Sequence, residues 1–392
     1  MGWFKIGDLF TLQMGKTPAR SNSSFWGNGH IWVSISDLSN CNKYIASSRE
    51  LITDDAVQES GIRIVPQGTL IMSFKLSLGK TAITASNLYT NEAIMAFIDK
   101  KIVPLDINYV YHLFNNWDWS RATNKAVMGL TLNKATLSQI KIPIPSLNTQ
   151  KAIANILDKI DESITLRKRQ LEIFNQLVKS RFIEMFGDPQ SNCYNWKIVP
   201  LKDVMVGGAL NGYFTKPQNY DIEGNVGVIC VSDVVNRKYT NVNALRRAFA
   251  SEKDLQKYCV KYGDMLFCRS SLVKEGIGKA SIIPPHTEND ILFECHAIKI
   301  TLDMSRVIPE YLQALSITDF FRIQVIRQSK TATMTTIGQK DIASVNILLP
   351  PMELQKRFTE FSAQIDKSKL AVQKSLDELE ILKKSLMQTY FG

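Results

Sequence analysis

Residues 140–187 and 345–392 align without a gap at an offset of 205 residues, and both stretches close on Phe-Gly. Ile142/Ile347, Pro145/Pro350, Gln150/Gln355, Lys151/Lys356, Ile160/Ile365 and Asp161/Asp366 are identical, as are Leu177/Leu382, Lys179/Lys384 and Phe186/Phe391. A repeat over 48 positions constrains architecture before any local reading, because whatever the first copy folds into the second must also form. Weaker echoes fill the rest of each half. "IWVSISDLSN" (31–40) answers "GVICVSDVVN" (227–236), and "LGKTAI" (78–83) answers "IGKASI" (277–282). The chain therefore reads as an internal, pseudo-twofold duplication of one unit, a variable globular part followed by a constant helical part of about 40 residues.

In the helical part, apolar residues step by threes and fours. The first copy places Ile153, Leu157, Ile160, Ile164, Leu171, Phe174 and Val178 at this spacing, and the second places Phe361, Ile365, Val372, Leu376, Leu379 and Leu386. A heptad stripe of this kind marks a helix that buries a narrow seam against another long helix. Two seams of equal length are expected to pair as an antiparallel coiled coil; the alternative is two amphipathic helices, each packed on its own domain. Prolines precede each helix (Pro143 and Pro145; Pro350 and Pro351), Asn148 and Thr149 are available as caps, and Gly187 before Asp188-Pro189 stops the first copy. A helix from about 149 to 186 extends on the order of 55 Å at ~1.5 Å per residue, the dimensions of a ruler between two domains.

The globular parts alternate short β-branched runs, such as "GTLIMSF" and "NEAIMAFID", with Gly- and Asn-rich turns, and a helix follows near "NYVYHLFNNW". Mixed strands and helices without strict βαβ alternation indicate α+β domains. The expected boundaries are 1–145 and 188–350 for the globular domains, with helical regions at 146–187 and 351–392.

The formal net charge of +10 favours a polyanionic partner, since Lys and Arg that neutralise phosphates release counterions. The polar loops interleave basic, amide and aromatic residues, the types that contact phosphates and base edges. The candidates are Lys16, Arg20, Asn22, Lys75 and Lys80 in the first domain. In the second they are Arg237, Lys238, Arg246, Arg247, Arg269, Lys274 and Lys279, with the loop 211–225 beside them.

Catalytic motifs are missing. There is no GxGxxG after a strand, no GxxxxGK[ST], no HExxH and no GxSxG, and neither "GDPQSN" nor "LPPMEL" is the Asn/Asp-Pro-Pro-aromatic motif of adenine methylation. Six cysteines lack a CxxC pair and four histidines lack zinc-ligand spacing, so free thiols and no metal are expected. Cys295-His296, in the strand-like "ILFECHAIKI", reads as a core position. The N-terminus lacks the build of a signal peptide and no apolar run approaches a membrane span, so a soluble, cytoplasmic protein is expected.

Two variable α+β domains, each followed by a heptad helix that opens on "KIPIPSLNTQKAI" or "ILLPPMELQKRF" and closes on "FG", resemble the specificity subunit of type I restriction-modification systems. The resemblance covers essentially the whole chain, although the first copy carries Ile-Pro-Ile-Pro where the second carries Leu-Leu-Pro-Pro. It implies that each globular part is a target recognition domain reading one half of a split site in double-stranded DNA, while the coiled coil fixes the spacer. It also implies that modification subunits, which hold S-adenosylmethionine, dock on the helical regions, and that restriction subunits using ATP and Mg join them. No cofactor is expected in this chain. The alternative is a coiled-coil scaffold that holds two protein-binding domains without reading DNA.

Overall fold

A computed structural model describes residues 2–75, 77–119, 124–126, 129–214, 220–285 and 290–392. Residues 215–219 of the polar loop 211–225, and His286, lie outside the described residues. The chain forms two compact units: Met1–Lys168 with Lys374–Gly392, and Arg169–Gln373. Each unit thus holds one globular part with stretches of both long helices, Leu147–Phe186 and Met352–Phe391.

In the first unit, a five-stranded sheet runs in the order Phe10–Met14, Ile94–Asp99, Leu70–Ser73, Thr81–Thr84, Tyr44–Ile45. All four residues of Leu70–Ser73 are buried, as expected of a continuous apolar run in a central strand. A three-stranded sheet places Trp26–Val33 between Glu50–Ile52 and Tyr89–Thr90. Gly2–Lys5 pairs antiparallel with Lys141–Ile144, Phe4 facing Ile142, so the start of the chain is tied to the segment that leads into the first long helix.

The second unit is built from similar parts. Leu210–Asn211, Ala297–Ile300, Met265–Cys268 and Ala280–Ile282 form a four-stranded sheet in that order. Val226–Ile229 lies between Arg246–Ala248 and Ile291–Phe293. Lys197–Pro200 pairs antiparallel with Asn346–Leu349, Val199 facing Ile347. Mixed sheets with short helices agree with the α+β expectation.

The first long helix starts at Leu147, two residues earlier than the expected start near 149, so neither Asn148 nor Thr149 is its cap. Ser146 caps it instead, its hydroxyl accepting the Thr149 amide at 3.3 Å. Gly187, with φ +76°, ends it as expected, its amide bonded to the Ile183 carbonyl at 2.8 Å. At 40 residues each, the helices are about 60 Å long.

The seam positions are all at least partly covered, with Leu157 fully buried. Ile153 and Leu157 pack into the core of the first unit together with Leu113 and Met387. Side chains of the two helices meet in both units. Asp161 bonds Lys383 and Lys168 pairs with Glu380 at 3.0 Å in the first unit; Arg181 lies over the Phe361 ring and Phe182 meets Phe358 edge-on in the second.

Cys295 and His296 depart from expectation. They occupy a turn before Ala297–Ile300, and His296 is exposed. The apolar residues around them, Phe293 and Ala297, are buried, but the chain reverses here, and Arg269 takes the turn's carbonyls, its amide bonding that of His296 at 2.8 Å.

Candidate nucleic-acid interface

Each domain is fastened to its long helix by a buried glutamine. Gln150 donates to the carbonyls of Pro104 (3.1 Å) and Pro145 (2.9 Å) and accepts the Asp106 amide at 2.8 Å. Gln355 donates to Arg306 (3.2 Å) and Pro350 (2.9 Å) and accepts the Ile308 amide at 2.9 Å. An amide side chain is suited to this, because its NH2 offers two donors and its oxygen accepts from the same planar group. A tyrosine sits beside each. Tyr109 donates to the Pro143 carbonyl at 2.9 Å and Tyr311 to the Leu348 carbonyl at 3.0 Å, and burial raises both phenols, Tyr109 to about 12.

A Lys-Tyr pair then reaches from each domain onto a helix. Lys43 Nζ bonds both carboxylate oxygens of Asp158 (2.6 and 2.7 Å), and Lys238 bonds Asp366 and the Ser362 hydroxyl (2.8 Å). His112, 2% exposed at its side chain, completes the first cluster, its Nε2 lying 2.7 Å from Asp158 Oδ1. Burial holds His112 below its ordinary value against the pull of Asp158. Burial also pushes Asp158 up, but the hydrogen bonds from Lys43 and His112 outweigh it and hold that carboxyl low.

The basic loop candidates fall into distinct settings. Arg20 stacks over the Trp26 ring, 3.8 Å from its centroid, and grips Glu50 with both terminal nitrogens, one at 3.0 Å; half of its side chain remains exposed. This fixes the guanidinium at little further entropic cost for a contact. Asn22 caps the short turn Ser23–Phe25 and Lys16 donates to the Ser60 carbonyl, so both are engaged locally. Lys75 lies near the Phe74 ring, and Lys80 donates to Ser39 Oγ at 2.8 Å.

In the second domain, Arg246 lies over the Tyr220 ring while Arg247 donates to the Gly224 carbonyl at 2.8 Å. Arg269 is half-buried and donates to the Cys295 carbonyl at 3.0 Å, and Lys274 is exposed in the turn Lys274–Gly276. Two residues beyond that turn lies Gly278, where φ is +61° and a Cβ would meet Val325 at 2.4 Å, so only glycine fits.

Arg237, Lys238 and Lys279 are brought together in one cleft of about 680 Å³ within the second unit, and Lys179 and Lys369 of the long helices and Arg322 join them. In the first unit, Lys80 lines a cleft of about 710 Å³ with Lys43 and Lys383, where Asp158, Asp161 and Glu162 balance the charge. Sequence reading missed Lys43, His112 and Asp158, although Lys43-Tyr44 and Lys238-Tyr239 follow matching segments in the two halves. Among the described residues there is no cluster of potential metal ligands, and no helix is long and apolar enough to cross a membrane.

This fold is that of type I restriction-modification specificity subunits. The crystal structure of the S subunit of such a system from M. genitalium matches with a TM-score of 0.58 at 13% identity, over 100% of this chain and 96% of that one. A chain from the type I R-M system, solved in a study of complex assembly and conformational transition, matches with a TM-score of 0.60 at 16% identity, over 100% and 97%.

Residues 1–174 match the family described as Type I restriction modification DNA specificity domain. The specificity subunit of the type I restriction enzyme MjaIX from Methanocaldococcus jannaschii is 25% identical over 90% of this chain and 84% of its own length. That of MjaVIII from the same organism is 23% identical over 98% and 90%. The chain is thus similar to type I restriction enzyme specificity subunits over nearly its whole length, and its residues 1–174 match their DNA specificity domain.

Proposed function

We infer that this chain is the DNA sequence-recognition subunit of a type I restriction-modification complex. The match of residues 1–174 to a DNA specificity domain carries this reading. The scaffold alternative, without DNA recognition, is not favoured by that match.

The reading extends to how recognition is organised. Each domain reads one half of a bipartite site, and the boundaries expected from the sequence, 1–145 and 188–350, mark the two reading heads. The recurrence of the same contacts at Gln150 and Gln355, and at Tyr109 and Tyr311, supports a duplicated design. The long helices pair antiparallel and set the spacer. Within the first unit Asp161 meets Lys383 and Lys168 meets Glu380, and within the second Arg181 meets Phe361 and Phe182 meets Phe358; in each, partner numbers fall as helix numbers rise, which supports that pairing. Modification subunits dock on the helical regions and contribute S-adenosylmethionine chemistry, while restriction subunits contribute ATP- and Mg-dependent cleavage.

The test is methyl transfer to duplex DNA with S-adenosylmethionine, using the purified chain alone and then co-purified with its modification partner. Activity only in the complex, at adenines of a defined sequence, is expected. Methyl transfer or cleavage by the chain alone would overturn the subunit reading.

A further inference from the structure

The two clefts beside the long helices have nearly the same size but different charge. In the first unit three lysines face three carboxylates. In the second, Lys179, Arg237, Lys238, Lys279, Arg322 and Lys369 face only Glu275, Glu310 and Asp366. Two of those carboxylates already have partners in the wall, since Asp366 holds Lys238 and Glu310 accepts the Tyr239 hydroxyl at 3.1 Å. Lys179 and Arg237 are exposed and make no ion pair or hydrogen bond among the described residues.

Arg322 adds to the positive charge of the cleft wall without a carboxylate partner among the described residues. Its Nη2 donates to the Glu275 carbonyl at 3.0 Å, but its Nη1 is enclosed by protein and has no hydrogen-bond acceptor. A buried donor left unpaired costs about 1–3 kcal/mol. Lys369 shares Asp366 with Lys238, at 3.9 Å, so one carboxylate serves two ammonium groups. An anion in this cleft would offset the excess positive charge, and a tetrahedral phosphate suits the exposed Arg237 guanidinium beside the Lys179 ammonium.

We propose that the cleft formed by Lys179, Arg237, Arg322 and Lys369 in the second unit is a phosphate-binding site that grips the DNA backbone, and that its counterpart in the first unit is not. The proposal rests on the DNA-recognition reading. It adds a sequence-independent anchor to one side of the molecule, which a duplicated plan alone does not supply. Contacts to phosphate set register and orientation without specifying bases.

The test compares the wild-type chain, co-purified with its modification partner, with a Lys179→Ala/Arg237→Ala double variant and a Lys383→Ala variant in the first-unit cleft. Binding to a duplex carrying the methylated motif is followed by fluorescence anisotropy between about 50 and 200 mM salt. The double variant is expected to bind more weakly, with the slope of log affinity against log salt reduced by about one to two, and with the methylated sequence unchanged. Lys383→Ala should keep the wild-type slope.

An unchanged slope and affinity in the double variant would overturn the proposal. So would calorimetric binding of inorganic pyrophosphate that the double variant loses while its DNA slope stays unchanged, since the cleft would then serve a free phosphate. Failure of the wild-type complex to bind any specific duplex would instead contradict the DNA-recognition reading itself.

Discussion

Phe186 packs edge-on against Tyr311 with ring centroids 4.8 Å apart, and both side chains are fully buried. Phe186 is the last residue of the first long helix, and Tyr311 lies in the short helix Pro309–Ser316 of the second domain. Phe391, last in the second long helix, meets Tyr109 at 5.6 Å in the first unit. Each long helix therefore starts against one domain and ends with an aromatic residue in the core of the other.

Removing that aromatic should loosen one unit selectively. Phe186→Ala is expected to destabilise the second unit by about 3–5 kcal/mol through the lost transfer energy and the cavity left behind. Hydrogen exchange resolved by region should show faster opening across 197–349 and little change within 2–144. Phe391→Ala should do the converse with a smaller effect, because Phe391 is only partly buried.

Gln355→Ala strands the Ile308 amide and the Pro350 carbonyl in a buried setting, and should cost about 3 kcal/mol. Gln355→Glu keeps the acceptor for Ile308 but turns an oxygen toward the Pro350 and Arg306 carbonyls. At neutral pH it should be at least as damaging, and urea unfolding should show partial recovery when acid protonates the carboxyl.

The His112 cluster gives the first unit a pH dependence with a definite sign. Folding lowers the His112 value below its ordinary 6.5, so the unfolded chain binds more protons just below that pH. Stability should be level above about pH 6.5 and fall as pH drops below it, with the depressed Asp158 extending the loss further into acid. Thermal unfolding across pH 5 to 8 (about the histidine window) should show this decline, and His112→Gln should flatten it.

Much of the fold was legible because it rests on periodicity. The heptad stripe, the proline-led start and Gly187 placed the first long helix within two residues of Leu147–Phe186. "GTLIMSF" and "NEAIMAFID" became Leu70–Ser73 and Ile94–Asp99. The site was less legible, since sequence does not tell which basic residue is spent locally. Asn22 became a cap, and Arg269 and Arg247 took backbone carbonyls, while Arg237, Lys238 and Lys279 converged with helix residues distant in sequence. The Cys295-His296 turn was misread because a strand-like composition conceals a turn whose neighbours alone are buried.

On the DNA-recognition reading proposed above, Arg20, held over Trp26 by Glu50 with half of its side chain exposed, is a first-domain candidate for contact with a base. Arg20→Ala should relax one position of one half-site at a cost of about 1–3 kcal/mol and leave the other half unchanged. Methylation mapping of the variant checks this.

The spacer reading predicts that deleting about one heptad from both long helices together shortens the tolerated spacer by about 3 base pairs, since seven residues rise roughly 10 Å. The half-sites should not change. Altered half-sites with an unaltered spacer would count against the paired helices as the ruler.

The central claim is tested most directly by co-expressing the chain with its modification partner and mapping methylated adenines across a genome by single-molecule sequencing. The account predicts a split motif, two fixed halves around an unread spacer. Methylation at a continuous motif, or no new methylation from a soluble complex, would contradict it.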